Sequence, residues 1–296
     1  MSVKAFIDYL KLEKNYSKHT LVAYEKDLET FSHFCSNEFE VNDINEIPYS
    51  FIRNWIVKLA DSGVTNRSIN RKVSSLNAYY KFLQKTGQII SSPLVKHKAL
   101  KTKKKVEVPF SEIEMDKVLT LIPFTDNFEG LRDRLMIEML YATGIRRVEL
   151  VNLKLSDIDW AKKTIKVLGK RNKERILPLL PGLISLMQHY IEERSKRENI
   201  HDKAYLFLTQ GGLKIYETLV YRTINKYFSL VSPKVKRSPH VLRHTFATHL
   251  LNQGADLNAV KELLGHASLA STQVYTHNSI AELKKAHLKA HPRNKK

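Results

Sequence analysis

The stretch SPHVLRHTFATHLL, residues 238–251, sets His240, Arg243 and His244 within the first turns of a predicted helix. Residues three and four apart share a helix face, so His240 and His244 together offer nitrogens to a metal ion, or, with Arg243, donors to an oxyanion. Arg243 tilts the balance toward the oxyanion, because a guanidinium carries five donors, no lone pair and a permanent positive charge. Ser238 as N-cap and Pro239 at the first helical position place His240 in the first turn, where unpaired N–H groups and the helix dipole attract phosphate. The motif is weak by itself. With 12 His and 49 Lys+Arg in 296 residues, about two His-x-x-basic pairs are expected by chance, and a solvated histidine-rich face is the plain alternative.

Other stretches supply further candidates. In YATGIRRVELVNLKLSDID, Gly144 ends one predicted helix and Arg146 opens the next, with Glu149 three residues on to steer it. The plain alternative is a surface ion pair worth about 0–1 kcal/mol. TIKVLGKRNKERILPL, residues 164–179, alternates and β-branches around a turn, which predicts a β-hairpin with Lys170 at its tip. Lysine is ordinary in a turn, yet a turn tip also reaches into grooves. Asp256 caps a helix through Leu257, Val260, Leu263 and Leu264, and Gly265 ends it, so His266 starts a loop. Residues 268–276, SLASTQVYT, resume a helix bearing Tyr275. Residues 279–290 form a short amphipathic helix through Ile280, Leu283 and His287, too short to be stable alone.

The elements that must position these residues fall into two domains. Residues 1–90 read as helices only: Leu21, Tyr24, Leu28, Phe31 and Phe34 are spaced by three and four, as are Ile52, Trp55, Ile56 and Leu59. A last helix begins near Thr65, with Ile69, Val73, Leu76, Tyr80 and Leu83 on one side and Arg67, Arg71 and Ser74 on another. That second face suits a DNA groove or is a solvated basic face. Residues 91–109 lack apolar periodicity and carry six lysines from Lys96 to Lys105, a linker composition in which Lys101, Lys103, Lys104 and Lys105 are expected to track a phosphate backbone. Ser111 with Glu114 then opens a second domain, 110–296, through a capping box.

Composition narrows the partner. The formal net charge of +19 makes a polyanion the natural ligand, since neutralised phosphates release condensed counterions. Acidic membranes share that chemistry, but no hydrophobic amphipathic anchor, lipidation signal or apolar run of membrane-spanning length accompanies the charge. The single Cys35 forms no intramolecular disulfide and sits beside Phe31 and Phe34 as a small packed residue. With no apolar leader after Met1, the chain is expected in the cytoplasm.

ATGIRRVEL, GKRNKERILPL, HVLRHTFATHLL and LLGHASLASTQVYTH, in this spacing, resemble the tyrosine recombinases, closest to the bacterial XerC/XerD group. The resemblance covers the whole chain. It implies a mainly α fold with a small β-hairpin or sheet: a helical core-binding domain and a mixed α/β catalytic domain closing as a C-shaped clamp on DNA. It implies Arg146, Lys170, His240, Arg243 and His266 as catalytic residues, Tyr275 as nucleophile and Glu149 at the family's acidic position. His244 matches no catalytic position. Ile145, Arg147 and Val148 depart from the family's common Leu, Val and Ser, which bears on packing around Arg146 more than on the chemistry.

The implied reaction is cleavage and rejoining of DNA strands through a 3′-phosphotyrosyl bond, with no metal, ATP or other cofactor. A phenol of pKa about 10 is a poor nucleophile, so Tyr275 needs a phosphorus whose charge is already being neutralised. Arg146, Arg243 and His266 would bind the nonbridging oxygens, His240 would help remove the phenolic proton, and Lys170 would protonate the leaving 5′ oxygen. Implied partners are a double-stranded recombination site, further protomers in a tetramer (a XerC/XerD-like heterotetramer among the forms) and a DNA translocase as activator. Helix 279–290 would contact the neighbouring protomer, with docking on its own domain as the plain alternative, and the implied task is resolution of chromosome dimers. Rival readings are a metal-dependent phosphodiesterase using Asp157, Asp159, His240 and His244, a binding relative without catalysis, and a mobile-element integrase. The short chain, without an added arm-binding domain at its start, favours the Xer type over the last.

Overall fold

In the computed structural model, which describes residues 2–102, 107–169, 174–234, 236–265 and 285–294, the chain divides into two units, Met1–Lys105 and Val106–Lys296. Side-chain caps start three of the four helices among the described residues of the first unit: Ser2 begins α1 (Val3–Leu12), Ser17 begins α2 (Lys18–Phe39) and Thr65 begins α4 (Asn66–Lys85), each accepting from an amide in the first turn. Between them lies α3 (Tyr49–Asp61). Phe31, Trp55, Ile69, Leu76 and Tyr80 pack in one core, which also takes Cys35, whose thiol burial pushes up to about 11. That is a packed residue, not a reactive one.

On α4 the two expected DNA-facing arginines differ. Arg67 is exposed. Arg71 instead places its Nη1 and Nη2 2.5 and 2.9 Å from the oxygens of Asp27, a buried α2 carboxylate that also accepts from Lys72 and Ser75. Such a carboxylate must be paired to be tolerated. The stretch expected as a linker is anchored over its first part: Leu94 is buried, Asn70 exchanges two hydrogen bonds with the backbone of Leu100, and Asn66 donates to the carbonyl of Lys101. Irregular backbone held by two asparagines has no periodicity to reveal it. Lys101 itself is exposed, and Lys103, Lys104 and Lys105 lie outside the described residues.

The second unit opens with the Ser111–Glu114 capping box of α5 (Glu112–Asp116), which runs into a π-helical turn. Its centre is α6 (Phe128–Thr143), buried along nearly its whole length and packed by α8 (Pro181–Ser195) and α10 (Pro239–Asn252). The short α7 (Arg147–Asn152) follows α6, and α9 (Glu217–Ser229) and α11 (Leu257–Leu264) come before and after α10. A three-stranded antiparallel sheet lies between α7 and α8: β1 (Ile158–Asp159), β2 (Thr164–Leu168) and β3 (Glu174–Pro178), in that order. The β2–β3 register pairs Ile165 with Leu177 and Val167 with Arg175. β1, at two residues, is too short for alternation to signal it.

Of the helix expected over 279–290, on a neighbouring protomer or on its own domain, residues 285–290 are described and helical, and they pack on their own unit. His287 and His291 meet the carbonyls of Ala142 and Tyr141 at the end of α6, and burial lowers both imidazoles, to about 4 and about 3.

Candidate active site

Helix α10 is rotated by its apolar stripe. Leu242, Phe246 and Leu250 are fully buried, and Ser238 accepts from the Val241 amide with Pro239 in the first turn. His240 and His244 therefore stand exposed on the open side. Arg243 does not share that face, as its neighbours suggest it would, but points inward and is 7% exposed. Its Nη1 lies 2.6 Å from the carbonyl of Gly144 and its Nη2 2.5 Å from that of Leu264. Burial, then the positive charge of Arg146 and, opposing, the negative charge of Glu149, push its guanidinium down to about 9, which still leaves it charged at neutral pH.

Gly144 shapes this contact. It ends α6 at φ 62°, and a Cβ there would sit 2.3 Å from Cδ1 of Phe246. Only glycine allows both the left-handed turn and the close approach of α10. Two residues on, Arg146 is the N-cap of α7, its backbone N–H 2.7 Å and its Nη1 2.8 Å from the two oxygens of Glu149. This is not a surface pair, since Glu149 is 5% exposed.

The other partner of Glu149 is a residue that motif reasoning passes over. Arg175 of β3, 4% exposed, lays Nη1 and Nη2 on the same two oxygens at 2.9 and 2.7 Å, and its Nε donates to the carbonyl of Leu263 at 2.9 Å. Burial would raise the Glu149 carboxyl, but the hydrogen bonds and charge of Arg175, then those of Arg146, bring it down to about 2. A signal exists in the sequence: Arg175 shares strand parity with Leu177, so alternation turns both to the core.

Three arginines from three elements thus meet three successive carbonyls at the C-terminal end of α11: Arg175 at Leu263, Arg243 at Leu264 and, at 3.4 Å, Arg146 at Gly265. The last carbonyls of a helix have no partner within it and carry partial negative charge, so cations gather there. The next residue in the chain is His266. Arg146 keeps a side chain 34% exposed, so its guanidinium is open to a ligand on one side and locked by Glu149 on the other.

His240 lies nearby in sequence, with its Nε2 3.7 Å from a carboxylate oxygen of Glu107, which also pairs with Lys236. Loss of some water around the ring, then the positive charges of Lys236 and Arg243, hold its imidazole below the ordinary value and favour the neutral, proton-accepting form. Lys170, His266 and Tyr275 lie outside the described residues. Asp157 and Asp159 serve local turns, accepting from the amides of Lys154 and Lys162, and among the described residues no group of three or more His, Cys, Asp or Glu is placed to hold a metal. His249, buried between the Tyr141 hydroxyl and the Phe110 carbonyl, is a core residue.

Comparison with known proteins gives these positions a context. Residues 111–282 match the model of the phage integrase family, and residues 3–87 match that of the phage integrase N-terminal SAM-like domain. The chain is 40% identical over 294 residues to the tyrosine recombinase XerC of Oceanobacillus iheyensis, covering 98% of this chain and 96% of that protein. It is 39% identical over 293 residues to the XerC of Staphylococcus aureus, covering 99% and 97%. Among solved structures, XerH bound to a palindromic difH substrate after cleavage is similar at a TM-score of 0.72 and 23% identity, covering 97% of this chain and 84% of that one. The Tn1549 transposon integrase in complex with transposon right end DNA is similar at 0.72 and 21%, covering 95% and 97%. These structural likenesses concern the fold. Among the described residues, no helix is long and apolar enough to cross a membrane.

Proposed function

The chain belongs to the phage integrase family, as a tyrosine recombinase of the Xer type, and from that premise we propose which of its residues carry out the strand exchange. The enzyme cuts and rejoins DNA strands at a recombination site, working with further recombinase protomers on that DNA. Arg146 and Arg243 bind the nonbridging oxygens of the scissile phosphate together with His266. Tyr275 attacks the phosphorus and takes the 3′ side of the strand. His240 accepts the phenolic proton, and Lys170 delivers a proton to the departing 5′ oxygen. Rejoining runs the same steps backward with a different 5′-hydroxyl as nucleophile, so the energy of the phosphodiester is conserved in the phosphotyrosyl bond.

The observation that supports this assignment is the reach of Arg146 and Arg243 to adjacent carbonyls at the end of α11. Two guanidiniums this close repel one another, and a phosphate gaining negative charge as the five-coordinate state forms relieves that repulsion. Glu149, saturated by Arg146 and Arg175, orients the first fork without neutralising its exposed side. In the first unit Arg67 and Lys101, with Lys103, Lys104 and Lys105, contact the DNA backbone, and Arg71 does so only with the part of its guanidinium that Asp27 leaves free. The task we assign is resolution of chromosome dimers in the cytoplasm, in line with the full-length likeness to XerC proteins.

The test is incubation with a nicked suicide duplex carrying the recombination site of the host's replication terminus, in excess EDTA. A covalent protein–DNA adduct mapping to Tyr275 is expected. Cleavage without protein attachment, or activity abolished by EDTA, would replace this reading with metal-dependent hydrolysis.

A further inference from the structure

We propose that Arg175 is a positioning residue for strand cleavage, aligning Arg146 through Glu149 and fixing the end of α11 from which His266 continues. The inference rests on the assignment of Arg146 to the scissile phosphate made above. One side chain joins three elements, each carrying or close in the chain to an assigned catalytic residue: β3, which begins four positions after Lys170 in the sequence; α7, capped by Arg146; and the C-terminal end of α11, one residue before Gly265 and two before His266.

The geometry leaves Arg175 little other use. It is 4% exposed, so it does not meet DNA, and all three of its nitrogens are committed, Nη1 and Nη2 to Glu149 and Nε to the Leu263 carbonyl. Glu149 in turn receives four hydrogen bonds, two from Arg175 and two from Arg146, which fills the four acceptor positions of a carboxylate. A carboxylate gripped on one edge by a rigid fork cannot rotate, so the Arg146 guanidinium on its other edge has one orientation. Gly265 completes the fit: it turns at φ 63°, and a Cβ there would lie 3.1 Å from Cδ of Arg175. The glycine that ends α11 is thus shaped to the side chain that holds it.

Arginine is needed because no other residue spans two carboxylate oxygens and a carbonyl at once. A lysine keeps the charge but supplies a single point of contact. Arg175→Lys therefore keeps the buried carboxylate neutralised while releasing its orientation, and misplacement of a phosphate donor by about 1 Å costs on the order of 100-fold in rate.

The experiment compares single-turnover cleavage of a nicked suicide duplex with that of the same duplex carrying a neutral methylphosphonate at the scissile position. Arg175→Lys is expected to bind the site within about threefold of the native protein, to cleave the phosphate on the order of 100-fold more slowly, and to recover most of that loss on the methylphosphonate, where less charge needs a well-placed Arg146. Glu149→Gln breaks the same link from the other side and is expected to show the same recovery, which keeps the test available should Arg175→Lys not fold. Equal losses on both substrates in these variants would reduce Arg175 to a fold-stabilising residue and overturn the proposal. Arg146→Ala is the control: if that variant is not rescued by the methylphosphonate, the assignment of Arg146 itself fails, whereas rescue of Arg146→Ala without rescue of the other two overturns only the role of Arg175.

Discussion

The Nη1 of Arg243 lies 2.6 Å from the carbonyl oxygen of Gly144, the residue that ends α6 two positions before Arg146. One assigned phosphate-binding arginine is therefore seated on the turn that presents the other, and a change in that turn displaces both.

Gly144→Ala tests this coupling. The left-handed backbone costs a non-glycine residue roughly 1–2 kcal/mol, and the added methyl strikes Phe246 in a packed site, where overpacking costs about 1–3 kcal/mol more. A lowered melting temperature is expected, with covalent-complex formation falling more steeply than affinity for the site. A variant that melts normally and cleaves normally would show that the turn does not set the arginines.

Glu149 makes stability depend on acid. Its carboxyl is held at about 2 in the folded protein, below the ordinary carboxylate value, so its contribution is fully present above the unfolded-state value near 4.5 and is lost as pH falls through the folded value. The shift corresponds to roughly 3 kcal/mol. Denaturant melts between pH 6 and 2 are expected to show Glu149→Gln less stable than the native protein at the upper end, with the gap closing toward pH 2. A constant gap would mean that the carboxylate is not charge-stabilised.

His240 predicts the acid limb of the reaction. As the proposed proton acceptor it would stop working when protonated, and partial loss of water with the nearby positive charges lowers the pH at which that happens. Lys236→Gln removes one of those charges, so the acid limb of covalent-complex formation is expected to move to higher pH. A limb that stays in place would remove His240 from the proton transfer.

Arg67 and Arg71 separate binding from folding. Arg67→Ala is expected to leave the melting temperature unchanged while weakening site affinity and reducing the slope of log affinity against log salt by about 1. Arg71→Ala leaves the buried Asp27 with Lys72 and Ser75 alone, which is expected to cost roughly 1–3 kcal/mol of stability. Identical behaviour of the two variants in melts would contradict the structural role of the Asp27 pair.

Local signals made part of this architecture legible in the sequence. The start of α10 at Ser238 and Pro239, the Ser111–Glu114 box, the cap at Asp256 and the stop at Gly265 are decided by one or two side chains bonding to adjacent backbone, and each stands where its residues predict. What stayed hidden depends on partners distant in the chain. Strand alternation turns Arg175 inward, but its partner shows only when the fold sets Glu149, 26 positions earlier, against it. Arg243 reads as an exposed neighbour of His240 until the carbonyls of Gly144 and Leu264 draw it inward. The anchoring of 91–102 onto α4 rests on Asn66 and Asn70, whose bonds are 30 and more residues long in sequence.

The most direct measurement is the Tyr275→Phe variant on a nicked suicide duplex, resolved on a denaturing gel beside Arg243→Ala. Site binding without any covalent adduct is expected for Tyr275→Phe, and for Arg243→Ala an adduct formed roughly a hundred- to a thousand-fold more slowly. An adduct that persists without the Tyr275 hydroxyl, or a cleavage rate indifferent to loss of Arg243, would contradict the account.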